Sequence, residues 1–223
     1  MSQVTIAPSM LCADFARLGE QTRQVEEAGA DWLHFDIMDG WFVDNITFGP
    51  LVIEALRGQT NLHCDAHLMV GNPARHIQSF AQAGADSLLI QREVVTQPAQ
   101  LLSQIRDLGL MAGLVFNPAT PLAGLEAIAD KLDIVLIMSV EPGAAGQKFM
   151  PTVLPKVRQA RQLLDEVNPQ ARIMVDGGVD DQTTPELVAA GAEILVCGSY
   201  LFQHPDGLAA AIQSLREAAG SIE

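Results

Sequence analysis

Residues 29–39 read Gly29-Ala30-Asp31-Trp32-Leu33-His34-Phe35-Asp36-Ile37-Met38-Asp39. From Trp32 onward the side chains alternate in kind. His34, Asp36 and Met38 share one face of an extended segment, and Leu33, Phe35 and Ile37 share the other. This is a strand that carries its chemistry on one side. The tripeptide before it has echoes, Gly84-Ala85-Asp86 and Gly191-Ala192-Glu193. Each glycine falls where a helix ends and the chain turns, often in a left-handed conformation. The echo reads as a repeated unit of strand, loop, helix and glycine turn.

Outward from this stretch, strands are expected near 4–8, 32–38, 63–69, 86–91, 111–116, 133–139, 172–176 and 194–198. Helices are expected near 13–28, 49–58, 73–83, 97–107, 121–130, 151–166, 182–190 and 207–219. In the first of these, Phe15, Leu18 and Val25 form an apolar side, while Arg17, Glu20, Arg23 and Glu27 lie mostly elsewhere. Eight such units in sequence predict an α/β fold, a closed parallel (β/α)8 TIM barrel. The competing architecture is an open doubly wound sheet. A Gly-x-Gly-x-x-Gly turn after the first strand would support it, and none is present. No linker or low-complexity tract divides the chain, so residues 1–223 are expected to form a single domain.

Composition removes several classes of function. Of 223 residues, 48% are hydrophobic and 18% charged, which excludes a disordered or collagen-like chain. No apolar run reaches the ~18–20 residues of a membrane span. A net charge of −14 argues against a nucleic-acid or anionic-membrane binder. A small phosphorylated ligand remains compatible, since backbone amides bind phosphate without lysine. The start, Met1-Ser2-Gln3-Val4-Thr5, lacks a signal-peptide pattern, and Cys12, Cys64 and Cys197 are odd in number and far apart. Both features predict a cytoplasmic protein without a disulfide framework.

Barrel active sites form at the C-terminal ends of the strands. There the sequence places Ser9, then His34, Asp36 and Met38, then Asp65, His67 and Met69, and later Asp176-Gly177-Gly178. One barrel histidine is more often structural than ligating, and one carboxylate often caps a helix. Two histidines with carboxylates at the same ends of three strands suit zinc or a divalent transition metal. Asp65, deeper in its strand, fits a partner that orients a ligand or a residue of a buried polar layer. Met38, Met69 and Met138 read by spacing as core filling. Glycine-rich stretches follow the last three strands: Glu141-Pro142-Gly143-Ala144-Ala145-Gly146-Gln147, Gly177-Gly178 and Gly198-Ser199. They fit either tight turns or a phosphate site. The cysteines read as buried hydrophobes, with Cys12 able to approach the site. His63, His76 and His204 read as surface or helix-end residues.

Several segments, in this order, closely resemble the ribulose-phosphate 3-epimerase family. They include Ile6-Ala7-Pro8-Ser9-Met10-Leu11, His34-Phe35-Asp36-Ile37-Met38-Asp39-Gly40, Asn45-Ile46-Thr47-Phe48-Gly49-Pro50 and Asp65-Ala66-His67-Leu68-Met69. Asn117-Pro118-Ala119-Thr120-Pro121, Gly146-Gln147-Lys148-Phe149, Val175-Asp176-Gly177-Gly178 and Gly198-Ser199 continue the match. The resemblance implies a ribulose-phosphate-binding type of barrel and one divalent metal ion per chain, zinc, iron, manganese or cobalt, with no organic cofactor. It implies a phosphorylated ketose as substrate and a homo-oligomer. His34, Asp36, His67 and Asp176 would hold the metal, and Asp36 and Asp176 would exchange protons with opposite faces of the sugar carbon. Ser9 and His67 would touch substrate. Gly143, Ala144, Ala145, Gly146, Gly177, Gly178, Gly198 and Ser199 would surround its phosphate. Met38, Met69 and Met138 would line the site.

The chain departs from the family's pattern at a few positions. Gln91-Arg92-Glu93 stands where the family usually reads His-x-Glu, and Glu141-Pro142-Gly143-Ala144-Ala145-Gly146 where it reads Asn-Pro-Gly-Phe-Gly-Gly. Trp41 and Asp44 replace a usual His and Pro. The resemblance implies 3-epimerisation of D-ribulose 5-phosphate to D-xylulose 5-phosphate. The departures leave a six-carbon ketose phosphate such as D-allulose 6-phosphate as the alternative substrate. Two other classes compete: a non-catalytic sugar-phosphate binding protein, and a metal-free phosphate-binding barrel enzyme such as a decarboxylase or synthase.

Overall fold

The computed structural model describes residues 4–220. Eight parallel strands run β1 (Thr5–Pro8), β2 (Trp32–Met38), β3 (His63–Met69), β4 (Ser87–Gln91), β5 (Met111–Phe116), β6 (Ile134–Met138), β7 (Arg172–Asp176) and β8 (Ile194–Cys197). Their order around the sheet is β1-β8-β7-β6-β5-β4-β3-β2. The ring closes between β1 and β2, where Ser9 and His34 form a single parallel bridge. Asp31 reinforces this seam: its carboxylate accepts from the Ile6 amide at 2.7 Å, and its own amide donates to the Ile6 carbonyl.

The helices are α1 (Leu18–Glu27), α2 (Pro50–Arg57), α3 (Ile77–Gln82), α4 (Pro98–Asp107), α5 (Leu154–Val167), α6 (Thr184–Ala189), α7 (Ser199–Phe202) and α8 (Gly207–Gly220). Proline opens α2 and α4, where its missing N–H costs nothing. The echoed glycines have φ of +88° at Gly29, +90° at Gly84 and +104° at Gly191, so the turns they were expected to make are left-handed.

Alternation along the strands sorts the core into two parts. Ala7, Leu89, Val115, Ile134, Leu136, Met138, Met174, Ile194 and Val196 fill the barrel interior. Leu33, Phe35, Ile37, Leu68, Ile90 and Leu114 pack outward with the helices. The interior is tight: a Cβ on Gly113 would come within 2.5 Å of a Leu89 methyl.

Four expectations change. The helix expected over 121–130 is a 3₁₀ helix, Glu126–Lys131. Gly124, inside the expected span, turns left-handed at φ +82°, which no α-helix can follow. The helix expected over 73–83 opens as a 3₁₀ turn at Pro73–Arg75 before α3. A short helix, α7, follows Gly198 where none was expected. His63 is also not a surface residue. Half-buried, it stacks on Trp32 at 3.8 Å between ring centroids and bonds the Ser87 hydroxyl at 2.9 Å.

Candidate metal centre and active-site cleft

Strands β2, β3 and β7 bring four side chains to one point at the C-terminal end of the barrel. Ligand atoms of His34, Asp36, His67 and Asp176 all lie within 4.8 Å of one another. His34 Nε2 is 3.5 Å from Asp36 Oδ1 and 3.8 Å from Asp176 Oδ2. His67 Nδ1 is 3.5 Å and 3.9 Å from the same two oxygens. Both histidines are fully buried. Among the described residues, neither His34 Nε2 nor His67 Nδ1 has a hydrogen-bond partner. Two unpartnered imidazole nitrogens facing two carboxylate oxygens form a donor set that fits a divalent metal. Bonds of about 2.0–2.2 Å to a shared ion require ligand spacings near those observed.

Further hydrogen bonds orient these ligands. Asp65 Oδ2 lies 2.7 Å from His34 Nδ1, so that nitrogen carries a proton and Nε2 is the one directed at the cluster. Asp65 is itself held by the Ser87 hydroxyl. The Ser9 hydroxyl donates to Asp36 Oδ2 at 2.5 Å and leaves Oδ1 toward the cluster. Thr47 fixes the strand at this point by donating to the Asp36 carbonyl.

The two carboxylates differ in proton affinity. Burial raises that of Asp36, but the neighbouring His34 and His67 outweigh it and hold Asp36 well below the usual carboxylate range. Burial, then repulsion from Asp36, pushes Asp176 up to about 7. Burial opposes a charge on His34, yet Asp36 and Asp65 carry it well above its ordinary value. Burial keeps His67 below its ordinary value.

A cleft of about 660 Å³ opens above this cluster. Ser9, Asp36, Met38, Met69, Met138 and Asp176 line it, together with Gly143, Ala144, Ala145, Gly146, Gly177, Gly178, Gly198 and Ser199. Every expected contact is therefore at the cleft except His34 and His67, which lie behind its surface. His67 lies in the cluster, with its other ring nitrogen against Gln91. The methionines line the cleft rather than only filling the core. At Gly178 the backbone has φ +64°, and a Cβ would fall 2.3 Å from the Phe149 nitrogen, so only glycine fits.

Several lining residues escaped the sequence reading, including Val140, Lys148, Phe149, Tyr200 and His204. Lys148 and Phe149 lay within a matched motif, which was the available signal. Tyr200 and His204 sit on and after the unanticipated α7. Cys12 reaches the cleft and lies 3.6 Å from the Ser199 hydroxyl, with burial raising its thiol. Of the departing positions, Glu141, Ala144 and Ala145 line the cleft. Trp41, Asp44 and Gln91 do not. Trp41 is 86% exposed, while Gln91 is buried behind His67.

Fold and cluster together define a (β/α)8 barrel with a His₂Asp₂ centre at its catalytic end. Thiamine phosphate pyrophosphorylase from Pyrococcus furiosus superposes with a TM-score of 0.66 at 15% identity, covering 97% of this chain and 96% of that one. A tryptophan synthase α-subunit from the same organism gives 0.66 at 16%, covering 98% and 97%. At such identities the likeness is one of fold alone. Closer relatives are three ribulose-phosphate 3-epimerases. That of Synechocystis is 48% identical and covers 91% of this chain and 89% of its own; that of Bacillus subtilis is 45% identical, covering 91% and 94%. The Escherichia coli K12 protein is 47% identical, covering 92% of each. The ribulose-phosphate 3 epimerase family model matches residues 5–202, and the chain belongs to that family. It is an enzyme of the epimerase class.

Proposed function

We propose that this chain interconverts D-ribulose 5-phosphate and D-xylulose 5-phosphate, with one divalent metal held by His34, Asp36, His67 and Asp176. The observation that carries the reading is the meeting of two carboxylates, Asp36 and Asp176, with two histidines in one cluster at the cleft floor. Without an ion, the two histidines hold Asp36 well below the usual carboxylate range, while burial and repulsion from Asp36 push Asp176 up to about 7. Inverting a carbon next to a ketone requires a base on one face and an acid on the other. Asp36 takes the C3 proton, and Asp176 returns one to the opposite face. A bound divalent ion supplies Lewis-acid stabilisation of the charge that develops on the sugar oxygens. Ser9 holds Asp36 so that one oxygen stays directed at the cluster. Met38, Met69 and Met138 keep the floor apolar and limit water at the carbon that reacts. The amides of Gly143–Gly146, Gly177, Gly178, Gly198 and Ser199 surround the phosphate. Zinc, iron, manganese and cobalt all accept this ligand set.

A six-carbon ketose phosphate is the second reading. Ala144 supports it, because alanine at the cleft stands where family members usually carry phenylalanine. The family assignment leaves no support for a non-catalytic binding protein or a decarboxylase or synthase. The chain is further proposed to act in the cytoplasm as a homo-oligomer that folds as one domain. The exposed Trp41, Ile46 and Leu51 support self-association, which light scattering tests.

The deciding experiment is proton NMR of D-ribulose 5-phosphate with the metal-loaded protein in D₂O, with metal content assayed on the same sample. Loss of the C3 proton signal as xylulose 5-phosphate appears is the expected result. No exchange at about one bound metal per chain overturns the pentose substrate and moves the test to six-carbon ketose phosphates.

A further inference from the structure

We propose that Gln91 positions His67 for metal binding, its side-chain amide presenting Oε1 to the imidazole Nε2–H. The inference rests on the metal reading above and adds a residue to it. Gln91 ends β4 beside β3 and is fully buried. Its amide group meets His67 Nε2, with Gln91 Nε2 at 2.9 Å and Oε1 without a partner among the described residues. Amide oxygen and nitrogen are nearly the same size, so either can occupy the position facing the ring.

The chemistry of the ring decides which one does. If the amide N–H₂ faces His67, it needs a bare Nε2, and the imidazole proton must then sit on Nδ1. That nitrogen is the one directed at Asp36 Oδ1 and Asp176 Oδ2. A protonated Nδ1 cannot ligate a metal. With the amide turned over, Oε1 accepts from Nε2–H, and Nδ1 presents its lone pair to the cluster.

The two histidines are then backed in different ways. The carboxylate of Asp65 holds His34 through its Nδ1–H, and a neutral amide holds His67 through its Nε2–H. This explains how glutamine serves where the family usually carries histidine, since its Oε1 is an acceptor at the same buried spot. It also removes Gln91 from the residues that select substrate, because it does not line the cleft.

The test uses the full chain loaded with Zn²⁺. Two-bond ¹H–¹⁵N correlation spectra of ¹⁵N-histidine-labelled protein should show His67 with its proton on Nε2 and Nδ1 metal-bound. The Gln91→Met variant keeps the volume but has no comparable acceptor. In chelator competition it should bind Zn²⁺ about 10–100-fold more weakly. Gln91→Glu restores an acceptor and should return most of that loss. The metal-free thermal midpoint of each variant reports any folding defect separately. A wild-type His67 that carries its proton on Nδ1 overturns the proposal without any variant. So does Gln91→Met binding Zn²⁺ as tightly as wild type. Wild-type protein that takes up no Zn²⁺ overturns the metal reading itself, a result distinct from both.

Discussion

The floor and the rim of the cleft use different parts of the barrel. At the floor, His34 and His67 are 0% exposed and Asp36 is 4%, and each is held by a named partner on or just after a strand. At the rim, Glu141, Ala144, Ala145 and Gly146 are exposed and lie on the loop after β6, where Gln147 bridges the Glu141 and Ala144 carbonyls. The floor is side-chain chemistry, rigid and charged. The rim offers mostly backbone, whose amides do not depend on which small residue carries them. This difference accounts for where the chain departs from its family at the cleft: Glu141, Ala144 and Ala145 are all on the rim.

The comparison predicts that floor substitutions lower kcat and rim substitutions raise KM. The largest effect is expected for Asp36→Asn or Asp176→Asn, each lowering kcat by about 10²–10⁴-fold in the D₂O exchange assay. A change confined to KM would break the division. Next comes pH. Asp176 has a folded pKa of about 7, so below that pH a metal must displace its proton. Affinity should weaken at least tenfold per pH unit below 7, as read by chelator titration. Affinity constant from pH 5 to 8 would remove Asp176 from the ligand set. Gly178→Ala follows: its left-handed φ and the nearby Phe149 backbone cost roughly 1–3 kcal/mol in thermal unfolding. The rise in KM should exceed any fall in kcat. The smallest effect is expected for Ala145→Gly, which should change KM by no more than about threefold and leave kcat intact. A large kcat change there would tie the rim to the chemistry.

The sequence made the floor more legible than the rim or the depth of the barrel. Alternation assigned His34, Asp36 and Met38 to one face, and the repeated glycine turns located the strand ends. Alternation does not report depth along the barrel axis. For that reason His63 reads as a surface residue, although it stacks on Trp32, whose ring also meets the Arg172 guanidinium. Nor does it place Gln91, because a strand end may meet either the cleft or the layer beneath it. At 121–130 the apolar spacing is genuine, since Leu122, Leu125 and Ile128 are buried, but the left-handed Gly124 prevents a regular helix there. The four residues of α7 are too few for periodicity to register.

The closing seam of the barrel has a mechanical consequence. β1 pairs with β8 over four residues but meets β2 only through the Ser9–His34 bridge and the Asp31–Ile6 hydrogen bonds, so the ring is least continuous where β1 and β2 join. The candidate ligands lie on β2 and β3 to one side of this join and on β7 to the other. An ion they share therefore acts as a clasp across the gap. Amide hydrogens of β1 and β2 should exchange faster when the clasp is removed, while those of β4 and β5, within the continuous part of the wall, keep their protection.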